Sequence, residues 1–233
     1  MEPLTALVTG ASRGLGLALA AALNAEGWHL VLDARDGDRL ATAVAALPFP
    51  DRVTALPGDV ADPAHRAALA AAVPPRLHLL VANASDLGPS PLPPLADLPL
   101  PAFERVLAVN TIAPLALVQA VLPLLVPGAA VVQISSDAAV EAYAGWGAYG
   151  ASKAALDQVT AVLAVEHPAW RVYALDPGDM RTDMHQAAFP GEDISDRPDP
   201  TTVVPILLQF LESSPPSGRY RSADVLAFAG DPK

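Results

Sequence analysis

Thr5-Ala6-Leu7-Val8-Thr9-Gly10-Ala11-Ser12-Arg13-Gly14-Leu15-Gly16 decides the fold. Its first five residues form a short apolar run of the kind that makes a strand buried on both faces, as in parallel sheets. The run passes directly into a glycine turn and then into an alanine-rich stretch that reads as a helix to about Glu26, stopped by Gly27. In that arrangement Gly10 permits the tight turn, Gly14 lets backbone approach a diphosphate, and Gly16 allows close helix packing. The helix N-terminus adds N–H donors and the positive end of its dipole. The spacing is Gly-x3-Gly-x-Gly, and no Gly-Lys-Ser/Thr follows, which excludes a P-loop. Taken alone, such a turn is equally a structural strand-to-helix link; its place after the first strand favours the nucleotide reading.

A second strand at residues 29–32 leads to Asp33 and Arg35. At this point in such a unit, an acid suits the 2′-hydroxyl of NAD and an arginine the 2′-phosphate of NADP. Arg13 in the glycine turn is placed to join Arg35 against a phosphate, so two arginines favour NADP(H) over NAD(H). A surface ion pair of Arg35 with Asp36 or Asp38 is the alternative. Residues 41–47 suit a helix and 53–56 a strand ending at Gly58-Asp59-Val60, where Asp59 either accepts from an adenine amine or caps the next helix. A helix around residues 65–73 and a strand at 77–82 follow, then Asn83-Ala84-Ser85. Strand, helix, strand, helix, strand, helix, strand specifies a parallel sheet with right-handed crossovers.

Residues 86–101 carry six prolines and read as a semi-rigid surface loop. From Phe103 the pattern is helical through Leu125, interrupted at Pro114, whose missing N–H leaves the Asn110 carbonyl without its helical partner. That is a place for a bound water, or else an ordinary kink satisfied by neighbours. A strand at residues 131–134 ends in Ser135-Ser136, at the carboxyl end of the sheet where open α/β folds bind ligands. Tyr143 and Trp146 come next and either line an apolar pocket or simply pack. Tyr149 and Lys153 stand four apart at the start of a helix reaching about Val165, and only two lysines exist in the chain, Lys153 and Lys233. A shared helical face brings amine and phenol about 5 to 6 Å apart, where the amine favours the ionised phenol. A serine, a tyrosine and a lysine with separate structural roles would produce the same residues.

A strand at residues 171–175 ends in Asp176-Pro177-Gly178. Met180, Thr182, Met184 and Phe189 then lie in a stretch with few structure-forming signals, a candidate flap over a substrate. Residues 201–211 suit a helix and 224–229 a final strand.

With 233 residues the chain has the size of one domain, residues 1–233. A net charge of −11 argues against nucleic acid or an anionic membrane as partner. Cysteine is absent, which removes disulfides, thiolate nucleophiles and zinc–cysteine sites, and the five histidines show no ligand spacing, so no metal is expected. No charged residue falls between Arg105 and Asp137, but Pro114, Pro123, Pro127, Gly128, Gln119 and Gln133 interrupt that stretch, which reads as helix, turn and buried strand rather than a membrane span. The N-terminus lacks a basic start and a long apolar run, so the cytoplasm is the expected location.

Thr9-Gly10-x3-Gly14-x-Gly16, Asp59-Val60, Asn83-Ala84, Asn110, Ser136, Tyr149-x3-Lys153 and Pro177-Gly178-x3-Thr182 stand together in one order along the chain. In this the sequence resembles the short-chain dehydrogenase/reductase family in its shorter, single-domain form. The resemblance implies a Rossmann-like, doubly wound parallel sheet flanked by helices, three layers α/β/α, and a catalytic tetrad. In that tetrad Tyr149 exchanges the proton with the carbonyl or alcohol oxygen and Ser136 holds that oxygen. Lys153 binds the nicotinamide ribose and lowers the Tyr149 pKa, and Asn110 holds a relay water. It further implies that Gly10, Ser12, Arg13, Gly14, Leu15, Gly16, Arg35, Asp59, Val60 and Asn83 hold the dinucleotide. Pro177, Gly178 and Thr182 position its carboxamide, beside Tyr149 and Lys153. The expected activity is hydride transfer between NADPH and a carbonyl or secondary alcohol of a small, apolar substrate, in a homotetramer or homodimer. The alternatives are an NAD-linked alcohol dehydrogenase and a non-catalytic dinucleotide-binding regulatory protein. Ser85 departs from the glycine that ends the family's Asn-Asn-Ala-Gly, and Ala82 from its first asparagine; the short flap and C-terminal region imply an open pocket.

Overall fold

The computed structural model describes residues 3–222. Seven strands, β1 (Thr5–Val8), β2 (His29–Ala34), β3 (Val53–Pro57), β4 (Leu77–Ala82), β5 (Leu125–Ile134), β6 (Arg171–Asp176) and β7 (Gly218–Arg221), form one sheet in the order β3-β2-β1-β4-β5-β6-β7. Every neighbouring pair is parallel. The doubly wound fold expected from the sequence is therefore present, and its order reverses between β1 and β4. The expected strand at residues 224–229 lies outside the described residues; the strand beside β6 is β7.

Parallel strands covered on both faces must be apolar throughout, and β1 illustrates this. Ala6 and Val8 pack into the layer of α1 (Gly14–Ala25) and α8 (Pro200–Ser213), with Leu19, Leu23, Leu207 and Phe210. Leu7 faces the opposite layer of α3 (Pro63–Ala72), α5 (Ala113–Val121) and α6 (Gly147–Glu166), with Leu69, Leu117 and Leu163. Each such buried leucine stabilises the fold by about 1.5–3 kcal/mol.

Helix starts follow local capping. Asp36 accepts from Arg39 N at 2.9 Å and starts α2 (Gly37–Ala45) earlier than its apolar residues suggest, while Asp62 accepts from Ala64 N at 2.9 Å and starts α3. α3 is thus capped by Asp62 and not by Asp59. The helical rod that begins with α4 (Leu100–Leu107) passes through a π-helical turn, Ala108–Ile112, into α5. There the Ala113 N–H reaches back five residues to Ala108 O, one residue before Pro114, which has no N–H to offer Asn110. By length and composition the rod Leu100–Leu124 could cross a membrane, but half of its most apolar window is buried inside the protein.

At the opposite end of the sheet from the candidate site, Thr5 N donates to His78 Nδ1 at 3.1 Å. Burial, reinforced by the charge of Arg76, holds His78 below the usual histidine value of 6.5. Folding favours the neutral ring, so its contribution is complete above that value and is lost as pH falls. Thermal melts from pH 7.5 to 5.5 should show a smaller loss for His78→Ala than for the unaltered protein; equal losses would remove His78 from the account.

Candidate active site

The strand ends at the β1/β4 reversal open into a cavity of about 1000 Å³. Its floor is the glycine turn. Gly10 has φ +67° and Gly14 φ +56°, a region glycine enters without strain. The turn is anchored from below: Gly10 N donates to Asp33 Oδ1 at 2.8 Å, and Asn83 Nδ2 donates to Thr9 O at 2.9 Å and Gly10 O at 3.1 Å. Gly16 does not line the cavity. A Cβ there would lie 2.4 Å from Gly10 O and 2.5 Å from Asn83 Nδ2, so the missing side chain lets α1 pack against the turn. The N-terminus of α1 has no side-chain cap and no acid in its first turn, which leaves its N–H groups and positive dipole end to an anion. Ser12, Arg13, Gly14 and Leu15 line the cavity above it.

Asp33 and Arg35 have separate roles. Asp33 is 1% exposed, and its second carboxylate oxygen meets His65 Nε2 at 3.2 Å. With both oxygens engaged, Asp33 is a strut under the turn. Arg35 is exposed at the cavity rim and forms no ion pair with Asp36 or Asp38. Arg39, which the sequence reading passed over, joins Arg13 and Arg35 there, and both Arg13 and Arg39 pair with Asp183 Oδ2, at 2.5 and 3.2 Å. Arg39 sits in the first turn of α2, just after Arg35, and its place at the start of that helix beside the strand end could have flagged it. Asp59 and Val60 line one end of the cavity. Asp59 accepts from Ala61 N at 2.9 Å and pairs with Arg105 at 2.7 Å; burial alone would raise its pKa, but these two partners bring it below the usual value.

Ser136, Tyr149 and Lys153 converge at the other end. Lys153 is 2% exposed; its Nζ donates to Ile134 O at 2.6 Å and stands 5.4 Å from the centre of the Tyr149 ring. The spacing expected of the pair is present, but the expected lowering of the phenol is not. Burial pushes Tyr149 up to about 12, against hydrogen bonding from Ser85 and Ser136, and pushes Lys153 down to about 8. Ser136 Oγ donates to Asp137 Oδ1 at 2.9 Å, and its carbonyl accepts from Arg219 Nη2 at 2.9 Å. Arg219 comes from β7 and also binds Asp157 at 2.8 Å; no local signal in the sequence marks it.

Asn110 lies in the π-helical turn before α5, where Pro114 has no N–H to offer its carbonyl. It is fully buried behind the cavity wall, and its side chain is committed to protein partners. Oδ1 accepts from Asp86 N at 2.7 Å and Ser85 Oγ at 3.2 Å, while Nδ2 donates to Asp86 O at 2.8 Å and Ser152 Oγ at 2.9 Å. Its amide is thus a clamp between the loop after β4 and α6.

Pro177, Gly178 and Thr182 line the cavity between these ends. Thr182 Oγ1 accepts from His185 N at 3.2 Å and so starts α7 (Asp183–Ala188), a short helix in the stretch read as lacking structure. Helix α7 and its C-terminal flank bring Met184 and Phe189 against Tyr149 and Trp146, and Met180 and Tyr143 also line the cavity. The Trp146 ring lies 5.6 Å from that of Tyr149 and 6.0 Å from that of Phe189. The chamber is apolar, with the Asp137 carboxylate beside Ser136.

Residues 4–193 match the family model for short chain dehydrogenase. The short chain dehydrogenase asqE of Emericella nidulans is 38% identical over 174 residues, which cover 70% of this chain and 64% of that one, so the chain spans just under two thirds of that relative. The uncharacterized oxidoreductase YciK of Escherichia coli K12 is 32% identical over 218 residues, 88% of this chain and 84% of that one. Among solved structures, a short chain dehydrogenase of Shigella flexneri complexed with NADP superimposes with a TM-score of 0.87 at 28% identity, over 94% of this chain and 97% of that one. With the glycine turn, the Tyr149–Lys153 pair and the reversal of strand order all in place, the chain belongs to the short chain dehydrogenase family of oxidoreductases, whose members use a nicotinamide dinucleotide.

Proposed function

We propose that the protein transfers hydride between NADPH and the carbonyl, or in reverse the secondary alcohol, of a small apolar substrate. The observation that carries this reading is the buried Tyr149 phenol, protonated at neutral pH, beside Ser136 and above Lys153 in a chamber of apolar side chains. The site fits the dinucleotide: the uncapped start of α1 and the Gly10–Gly14 turn suit its diphosphate, and Arg13, Arg35 and Arg39 suit a 2′-phosphate, with Asp33 withdrawn beneath the turn. Asp59 and Val60 border the adenine, Asn83 holds the turn in shape, and Pro177, Gly178 and Thr182 face the carboxamide. When bound, the reduced nicotinamide supplies the hydride.

The residues of this chain do the rest. Tyr149 gives its proton to the carbonyl oxygen as negative charge develops there. Ser136 Oγ, steadied by Asp137 and Ala138 N, fixes the oxygen. The Lys153 ammonium, drawn close beneath the ring, stabilises the phenolate that remains. Met180, Met184, Phe189 and Trp146 exclude water. Exposed apolar residues on the Leu100–Leu124 rod and α6, with Ile112 58% and Val165 82% exposed, support a homodimer or homotetramer.

The test combines fluorescence titration of NADPH and NADH with assays on ketones, aldehydes and quinones. NADPH should bind more tightly and be consumed with at least one carbonyl. Arg35→Ser should weaken NADPH by about 10–100-fold, the worth of one charge-assisted hydrogen bond, and leave NADH nearly unchanged. Tighter binding of NADH to the unaltered protein would overturn the cofactor assignment, and no turnover with any carbonyl would overturn the reaction.

A further inference from the structure

The serine that replaces the family's glycine after Asn83-Ala84 stands at a junction of the site. Ser85 Oγ donates to Asn110 Oδ1 at 3.2 Å, and the same hydroxyl interacts with the Tyr149 phenol; Ser85 and Tyr149 line the cavity, with Asn110 buried behind them. Its backbone cannot drift, because Asn83 N and Ala84 N each donate to Thr9 Oγ1 at 3.0 Å. The connection closes on itself: Asn110 Nδ2 donates to Ser152 Oγ, which donates to Tyr149 O at 2.7 Å. One end of this ring of contacts is the phenol oxygen and the other is the backbone of the same tyrosine.

We propose that Ser85 is a positioning residue for Tyr149, a hydroxyl that turns from Asn110 Oδ1 onto the phenolate once the tyrosine has given up its proton. The role rests on the reading of Tyr149 as the proton donor. In the step itself the Tyr149 O–H bond breaks and an O–H bond forms on the substrate oxygen, whose carbon has taken hydride from the reduced nicotinamide. Ser85 gains and loses no proton; its O–H only rotates about Cβ–Oγ. Asn110 Oδ1 keeps its bond from Asp86 N at 2.7 Å throughout, so the rotation strands no buried acceptor. A glycine at this position offers no such donor. The charged groups around the phenol are Lys153 from α6, Asp137 after β5 and Asp176 at the end of β6, and the two carboxylates oppose ionisation. Ser85 and Ser136 are the hydroxyls that favour it.

The experiment is the pH profile of alcohol oxidation, which needs the phenolate as base. It uses NADP+ and the secondary alcohol of whichever carbonyl the unaltered protein reduces. Loss of Ser85 makes the phenolate harder to form, so in Ser85→Ala kcat should fall about tenfold at every pH along its rising limb, pH 7 included, which displaces that limb by about one pH unit. Ser85→Thr, which restores a hydroxyl, should return the profile toward the original, and thermal melts of both variants should show folded protein. A profile of Ser85→Ala that superimposes on the unaltered protein's would overturn the role of Ser85 alone. An unaltered protein with no activity would instead overturn the reading of Tyr149, and this role with it.

Discussion

Tyr149→Phe should fold normally, bind NADPH with unchanged affinity and reduce carbonyls at least about 10²–10⁴-fold more slowly, the usual worth of one positioned proton donor. The substitution removes a single oxygen from a ring that is 8% exposed and packs edge-on against Trp146 at 5.6 Å. The apolar body of the residue therefore stays in place, and the chamber keeps its shape. What disappears is the proton. The neighbouring hydroxyls are already committed: Ser136 Oγ directs its hydrogen to Asp137 and Ser85 Oγ directs its own to Asn110 Oδ1. Stopped-flow measurement of NADPH oxidation, with cofactor affinity from fluorescence quenching, separates the two effects. A phenylalanine variant with undiminished turnover would show that the proton reaches the substrate by another route.

The parts of this site that were legible in the sequence are those written in short-range pattern. Apolar runs ending in Gly10, Asp33, Asn83 and Ser136 are strands whose carboxyl ends meet at one edge, because parallel order forces them there. The four-residue spacing of Tyr149 and Lys153 survives because α6 is regular at that point. What could not be read depends on partners distant in sequence. Arg219 reaches Ser136 across 83 residues, from a strand too short and too charged to announce itself. The free Asn110 carbonyl can be read from the proline four residues on, but the commitment of its side chain to Asp86 and Ser152 is decided only by the packing of two elements. The phenol's pKa follows the same logic: helical spacing locates the ammonium, but burial sets the outcome, and burial is a property of the whole fold.

Gly16→Ala should impair the fold and the cofactor site together. A methyl group on Gly16 would meet Gly10 O at 2.4 Å, Asn83 Nδ2 at 2.5 Å and Gly10 C at 3.0 Å, and two of these three atoms are backbone that cannot swing aside. Either α1 lifts from the turn, or Asn83 gives up its bonds to Thr9 O and Gly10 O. Overpacking of this kind costs about 1–3 kcal/mol, and each lost hydrogen bond adds about 0.5–1.5 kcal/mol. The sum, roughly 2–6 kcal/mol, corresponds to a fall in Tm of about 5–20 °C for a domain of this size. Because the displaced atoms belong to the turn that presents the α1 N–H groups, NADPH affinity should fall more than tenfold as well. Gly128→Ala is the informative comparison. Its φ of +79° makes alanine strained there, yet nothing lies within 4 Å of the new methyl group, and the residue sits at the far end of the sheet. That variant should lose stability through its backbone and keep its affinity. If Gly16→Ala melted at the original temperature and bound NADPH as before, the close approach of α1 to the Gly10 turn would not be what shapes the site.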